Sequence, residues 1–125
     1  MIHLDTSFLI RALARGLPED RRLRGWLRSQ EPLGMSSISW AESLCGPVGA
    51  EHVFLAGRLI ADPVAFLATD AALTARLFNQ TGRRRGSLTD CMIAATAMRI
   101  GAPLATANPE DFRRFEAAGL QIVAT

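Results

Sequence analysis

Ser87-Leu-Thr-Asp90-Cys-Met-Ile-Ala-Ala-Thr-Ala-Met-Arg-Ile-Gly101-Ala-Pro-Leu104-Ala-Thr106-Ala-Asn108-Pro-Glu-Asp111-Phe112 is the stretch whose reading decides the fold. Its first half opens as a capped helix start and continues almost wholly apolar, which predicts a buried helix that ends at Gly101. Residues 104–106 then predict a short apolar strand, and the turn after it receives Asn108 and Asp111. Two polar sites are thus set at the edges of a buried helix–strand unit. An acid inside so apolar a helix, Asp90, needs a reason.

Working outward, the spacing of apolar residues predicts further strands over 1–4, 33–36, 64–68 and 120–123. Between them fall helices over 5–15, with Leu9 and Leu13 on one face, and over 19–29, with an apolar stripe of Leu23, Trp26 and Leu27. A short helix over 38–44 carries Trp40 and Glu42 and is broken at Gly46-Pro47; another follows over 49–59. Thr69-Asp70 starts the next helix, Leu73 and Leu77 give it a buried face, and Gly82 ends it ahead of an exposed basic loop, Arg83, Arg84 and Arg85. A short helix over 109–118 precedes the last strand. Strands alternating with helices imply α/β architecture, a parallel sheet covered on both faces.

The chain has 125 residues, room for a single domain over 1–125 with a real core. Hydrophobic residues make up 49 %, which sets disorder aside. No run reaches the roughly 20 apolar residues of a membrane span, and the start has no basic region of the kind that opens a signal peptide. Cys45 and Cys91 are too few for a disulfide framework or a zinc site. These features lead to an expected cytoplasmic location without membrane association. All 14 basic residues are Arg; Arg suits bidentate phosphate contacts, although a GC-rich genome gives the same bias. The missing Lys excludes any mechanism that needs a catalytic ammonium.

The acids have bland accounts one at a time. Asp5 ends the first strand, where open parallel sheets build their sites, yet Asp is also a favoured N-cap. Asp90 stands three residues after Ser87, close to a capping box, and favours the helix dipole. Asn108 is a natural N-cap, with Pro109 at the first helical position and Asp111 in the first turn. Glu42 reads as a solvated helix acid. Position tells against four separate accounts: strand ends and helix starts of a parallel sheet meet at one edge. Clustered carboxylates raise one another's pKa unless a cation neutralises them, and an all-oxygen set suits a hard ion, Mg²⁺ or Mn²⁺. Such an ion serves phosphodiester hydrolysis.

Ile2-His3-Leu4-Asp5-Thr6-Ser7, Trp40-Ala41-Glu42, Asp90-Cys-Met-Ile-Ala-Ala-Thr-Ala and Leu104-Ala-Thr-Ala-Asn-Pro-Glu-Asp-Phe112 resemble a PIN domain, and more narrowly the VapC toxin ribonucleases of type II toxin–antitoxin modules. The resemblance spans the chain. It implies a three-layer α/β/α fold with a parallel five-stranded sheet in order 3-2-1-4-5. It also implies a metal-dependent endoribonuclease in which Asp5, Glu42 and Asp90 hold Mg²⁺ or Mn²⁺ and water attacks an RNA phosphodiester in line. Thr6, Ser7 and Thr106 would orient ligands or substrate from the rim. The departure is the fourth acid: many relatives carry one where this chain has Asn108, so Asn108 and Asp111 compete for that place. A homodimer and a cognate VapB-like antitoxin are implied as partners. Such an antitoxin covers the site and can insert a basic side chain among the acids.

Other features admit two readings. Arg83–Arg85 would grip RNA phosphates or stand as a solvated loop. Trp26 and Trp40 read as packing residues, and His3 as a satisfied core residue. Leu9, Leu13, Leu23, Trp26 and Leu27, with the apolar face of the 49–59 helix, would line a groove for a partner helix or form ordinary core. Two rival functions stand beside the nuclease. A phosphotransfer or phosphatase domain also places Asp after the first strand but usually needs a Lys, and its dehalogenase-like form wants an acid where Ser7 stands. A catalytically degenerate PIN domain would act only as a binding module.

Overall fold

Neighbouring residues of the short strands enter different apolar clusters, which is the period-2 signature of a sheet covered on both faces. The computed structural model describes residues 1–46 and 49–123. Strands β1 (Ile2–Leu4), β2 (Leu33–Gly34), β3 (Leu104–Ala105) and β4 (Ile122–Val123) form a parallel sheet in order β2-β1-β3-β4. Helices α1 (Thr6–Ala12), α2 (Pro18–Arg28), α3 (Ser37–Cys45), α4 (Ala50–Leu59), α5 (Ala68–Gln80) and α6 (Leu88–Ile100) connect them. Ile2, Leu4 and Ala105 join Phe8, Leu9, Ala12, Leu23, Trp26 and Ala56 in one cluster. Leu104 joins Leu77, Phe112, Phe115 and most of the α6 face in the other. Helices α1, α2 and α4 therefore contribute to the first cluster, α5 and α6 to the second, with the sheet between: the expected three layers.

The sheet differs from the five-stranded expectation in one strand. Residues 64–68 were predicted as a strand, but only Val64 pairs, in a parallel bridge to Ser36 beyond β2. Two bonds make that bridge, Val64 N to Met35 O and Ser37 N to Val64 O, both 2.8 Å. The next backbone groups are claimed elsewhere: Ala65 O accepts from Arg99 Nη2 at 3.0 Å, and Leu67 N donates to Asp70 Oδ2 at 2.9 Å. These bonds lead the segment into α5 at Ala68 after the single Val64 bridge, before a second ladder pair with β2 is made. Its place beside β2 still preserves the expected order, with the bridge standing where a fifth strand would.

Local chemistry explains the elements that flank the site. Asp5 is the N-cap of α1, its Oδ1 accepting from Phe8 N at 2.8 Å. Gly101 ends α6 at φ 68°, the left-handed conformation glycine adopts without strain. The capping box expected of Ser87 and Asp90 does not form; Ser87 Oγ donates to Arg84 O at 2.8 Å. Residues 109–118 form two 3₁₀ segments, Pro109–Asp111 and Arg113–Ala118, instead of one α-helix, and Asn108 makes no side-chain cap. In α3, Gly46 is the C-cap; Pro47, the other half of the expected break, lies outside the described residues.

His3 is core, 1 % exposed, but its Nε2 has no partner among the described residues, so the expectation of a satisfied histidine fails. Its ring lies against Gly34, its register partner on β2, where an added Cβ would come within 2.9 Å of the imidazole. Glycine at 34 is therefore a condition of histidine at 3. Trp26 stacks on Phe8 with ring centroids 5.4 Å apart, a packing role. Leu27, expected in the buried stripe, is exposed. No described helix is long and apolar enough to cross a membrane.

Candidate functional site

Register builds the site. Leu4 pairs with Ala105, so the next residues, Asp5 and Thr106, emerge side by side from the C-terminal ends of β1 and β3. Thr106 Oγ1 donates to Asp5 Oδ2 at 2.6 Å, and both residues are buried. Ser7 Oγ donates to Asp5 Oδ1 at 2.8 Å and accepts from Ala107 N at 3.1 Å. Ser7 and Thr106 each spend their one hydroxyl proton on Asp5, so their own 3.4 Å approach carries no donor. Counting Phe8 N, three donors occupy the carboxylate. Of its roughly four lone-pair positions, that leaves one, on Oδ2.

Glu42 is exposed on α3 and joined to the same edge through Thr6. The Thr6 hydroxyl reaches Glu42 Oε1 at 3.1 Å and Ser39 O at 3.0 Å, tying α1 to α3. Asp90, in the first turn of α6, is half-buried, and its Oδ2 lies 3.6 Å from Nη2 of Arg114. Asp111 is exposed at the end of the first 3₁₀ segment. Asn108 takes part through its backbone, N–H to Thr106 Oγ1 at 3.0 Å.

Electrostatics joins these groups. Burial raises the Asp90 carboxyl to about 6, helped by the charges of Asp111, Glu42 and Asp5 and opposed by Arg114. Burial also raises Asp5, against the hydrogen bonds of Thr106, Phe8 and Ser7, with a further push from Glu42. The four acids singled out in the sequence thus share one field, and Asp111 is the foremost acidic influence on Asp90. Among the described residues no three His, Cys, Asp or Glu side chains are gathered tightly enough to hold an ion. Each acid turns to its own partner: Asp5 to Thr106, Ser7 and Phe8, Glu42 to Thr6, Asp90 to Arg114. The donor chemistry nevertheless fits a hard divalent cation, since all of the donors are oxygens and their negative charge is under-compensated.

Arg114 is the residue sequence reasoning missed. The available signal was its spacing, three residues beyond Asp111, but a pair of arginines in a short helix reads as solvated surface. Arg83, Arg84 and Arg85 are exposed, as expected; Arg83 Nε donates to Asn79 Oδ1 at 2.9 Å.

A stability test follows from Asp90. A carboxyl raised from 3.8 to about 6 in the fold is held charged at a cost above pH 6, and that cost fades as pH falls toward 3.8. Metal-free Asp90→Asn is therefore expected to be more stable than the parent at pH 7, by about 1–2 kcal/mol after allowance for solvent screening. The advantage should shrink toward pH 4. His3, lowered to about 4 by burial, acts oppositely, losing stability as pH falls from 6.5. Both proteins share that contribution, so urea titrations compared at each pH isolate Asp90. A variant no more stable than its parent at pH 7 would contradict the assignment.

An acid at the end of the first strand, a second on α3 and a third at the start of α6, under a parallel three-layer sheet, define a class that the known families contain. The PIN domain family matches residues 2–118, and the chain belongs to it. Among solved structures, FitAcB from Neisseria gonorrhoeae is 26 % identical with a TM-score of 0.69, covering 99 % of this chain and 97 % of that one. VapBC-1 from nontypeable Haemophilus influenzae is 26 % identical with a TM-score of 0.66, covering 98 % and 97 %. DNA-bound VapBC from Salmonella typhimurium shares the fold at 21 % identity and a TM-score of 0.72, covering 98 % of each chain. No curated protein matches the chain.

Proposed function

We propose that this chain is a Mg²⁺- or Mn²⁺-dependent endoribonuclease, the toxin of a VapBC-type toxin–antitoxin pair. The observation that carries the reading is the placing of Asp5, Glu42, Asp90 and Asp111 at the carboxyl edge of the sheet, where burial first and the neighbouring acids second raise the Asp90 carboxyl to about 6. Asp5, Glu42 and Asp90 would hold the ion. When bound, it supplies activation of water and stabilisation of charge on the phosphate. Thr106, Ser7 and Phe8 fix the Asp5 carboxylate so that its remaining lone pair on Oδ2 faces one direction. Thr6 steadies Glu42 against α1. For the fourth place the charge coupling favours Asp111 over Asn108, whose described contact is made by its backbone. Arg83–Arg85, a run of exposed positive charge, suits RNA phosphates.

The antitoxin assignment draws on the toxin–antitoxin relatives named above and on a groove lined by Leu13, Leu23, Leu27, Leu55 and Leu59 between α1, α2 and α4. Of the residues singled out in the sequence, Leu9, Leu23 and Trp26 belong to the core and Leu13 packs against it, while Leu27 is exposed beside Leu55, which supports an apolar docking face there. An amphipathic antitoxin helix fits such a surface. A homodimer remains part of the proposal.

Purified protein is expected to cleave single-stranded RNA oligonucleotides with Mg²⁺ or Mn²⁺ and to stop when EDTA is added; cleavage indifferent to chelator would sink the mechanism. One observation favours a second reading, a PIN domain that only binds: among the described residues no three metal-binding side chains are gathered. RNA binding without cleavage at saturating Mn²⁺ would decide for it.

A further inference from the structure

Arg114 sits in the wrong place for an ordinary surface arginine. Its side chain is only 15 % exposed, and its guanidinium lies over the Phe115 ring, 4.7 Å from the centroid. Its Nε is buried with no partner among the described residues, and the carboxylate it pairs with, Asp90, is 3.6 Å away, beyond good hydrogen-bond length. A guanidinium carries five donors, so this one is held by packing and charge and is poorly served by hydrogen bonds. By contrast Arg113, one residue earlier, is exposed and bonded to Glu110 at 2.9 Å.

We infer that Arg114 is a positioning residue, an internal counter-ion that occupies the electrostatic place of the divalent cation beside Asp90 and yields that carboxylate when the cation binds. The inference rests on the metal-site reading above and deepens it. Packing on Phe115 lets Arg114 keep its place without Asp90, so giving up the carboxylate does not require the 3₁₀ segment to unfold. While Arg114 stays, the acids tolerate one another at the sheet edge; its positive charge is also a competitor that the incoming ion must overcome. Net affinity for the ion is therefore set by Arg114 as well as by the acids.

Isothermal titration of Mn²⁺ into RNA-free protein tests this. Arg114→Met keeps the apolar stem and removes the charge; it is expected to bind Mn²⁺ about tenfold more tightly, the size of a single-charge repulsion at close range in a mostly aqueous dielectric. Arg113→Met, which removes the same charge from the neighbouring surface, should change affinity less than about twofold. In an Asp90→Asn background the gain from Arg114→Met should be smaller, since the contested carboxylate is gone and only direct repulsion between the guanidinium and the ion remains to be relieved. Equal or weaker binding by folded Arg114→Met, or an equal gain from Arg113→Met, overturns the inference. If the parent protein binds no Mn²⁺ at all, the metal-site reading itself fails, which is a distinguishable result. Should Arg114→Met fold poorly, as judged by circular dichroism, Arg114→Gln offers the same charge removal with polar atoms retained.

Discussion

Asp5→Asn is expected to lower metal-dependent RNA cleavage by on the order of 10²-fold or more while leaving the protein folded. Supporting residues that merely orient a ligand typically cost 10- to 100-fold, so losing a ligand itself should cost at least as much. The fold should survive for reasons visible around the side chain. Asn is as good an N-cap as Asp, and its carbonyl oxygen can keep the bonds from Ser7 Oγ and Phe8 N, both now 2.8 Å. The new amide would face Thr106 Oγ1, which already accepts from Asn108 N and has a second lone pair free to accept again. Stability should change by only about 1 kcal/mol, the scale of a rearranged hydrogen bond. Single-turnover cleavage at saturating Mn²⁺ together with thermal melting separates the two quantities. Activity within tenfold of the parent would remove Asp5 from the reaction.

The largest stability effect is expected away from the acids, at the Asp70–Arg99 pair. Asp70 is 1 % exposed; its Oδ1 accepts from Arg99 Nε at 2.7 Å and its Oδ2 from Leu67 N at 2.9 Å. Arg99 also reaches Ala65 O, so one guanidinium ties the start of α5, the end of α6 and the segment at the sheet edge. Arg99→Met leaves a buried carboxylate without its cation and should cost about 3–5 kcal/mol. Asp70→Asn in the same chain should recover part of the loss, because the charge to be compensated is gone. Urea denaturation measures both, and hydrogen exchange at residues 64–67 should rise in the single variant. A cost below about 1 kcal/mol would show the pair to be solvent-screened in practice.

This pair also shows where sequence reasoning stopped. Asp70 was legible as a helix start, and it does accept Leu67 N at the head of α5. Its partner, 29 residues on at the far end of α6, left no trace in any periodicity. The missing fifth strand was equally hidden, since whether 64–68 continues beside β2 or turns into α5 after the single Val64 bridge depends on tertiary contacts such as Arg99 to Ala65 O. Likewise Ser87 looked like a cap three residues before an acid, whereas its hydroxyl turns back to Arg84 O. Asp90 is therefore free of capping duty, and the helix cap coincides with the candidate metal site at Asp5 instead.

The sequence by itself determined the alternation of strand and helix, the parallel three-layer class, and the acids to watch. Those follow from local quantities: apolar period, turn residues, and acids at strand ends. Only the tertiary structure decided that Asp5 is clasped by Thr106 across 101 positions, that Asp111 presses on Asp90 more than any other acid does, and that a native arginine already stands among them. Such contacts depend on which strands become neighbours and in what register, and burial then magnifies each charge–charge interaction far beyond its value in water.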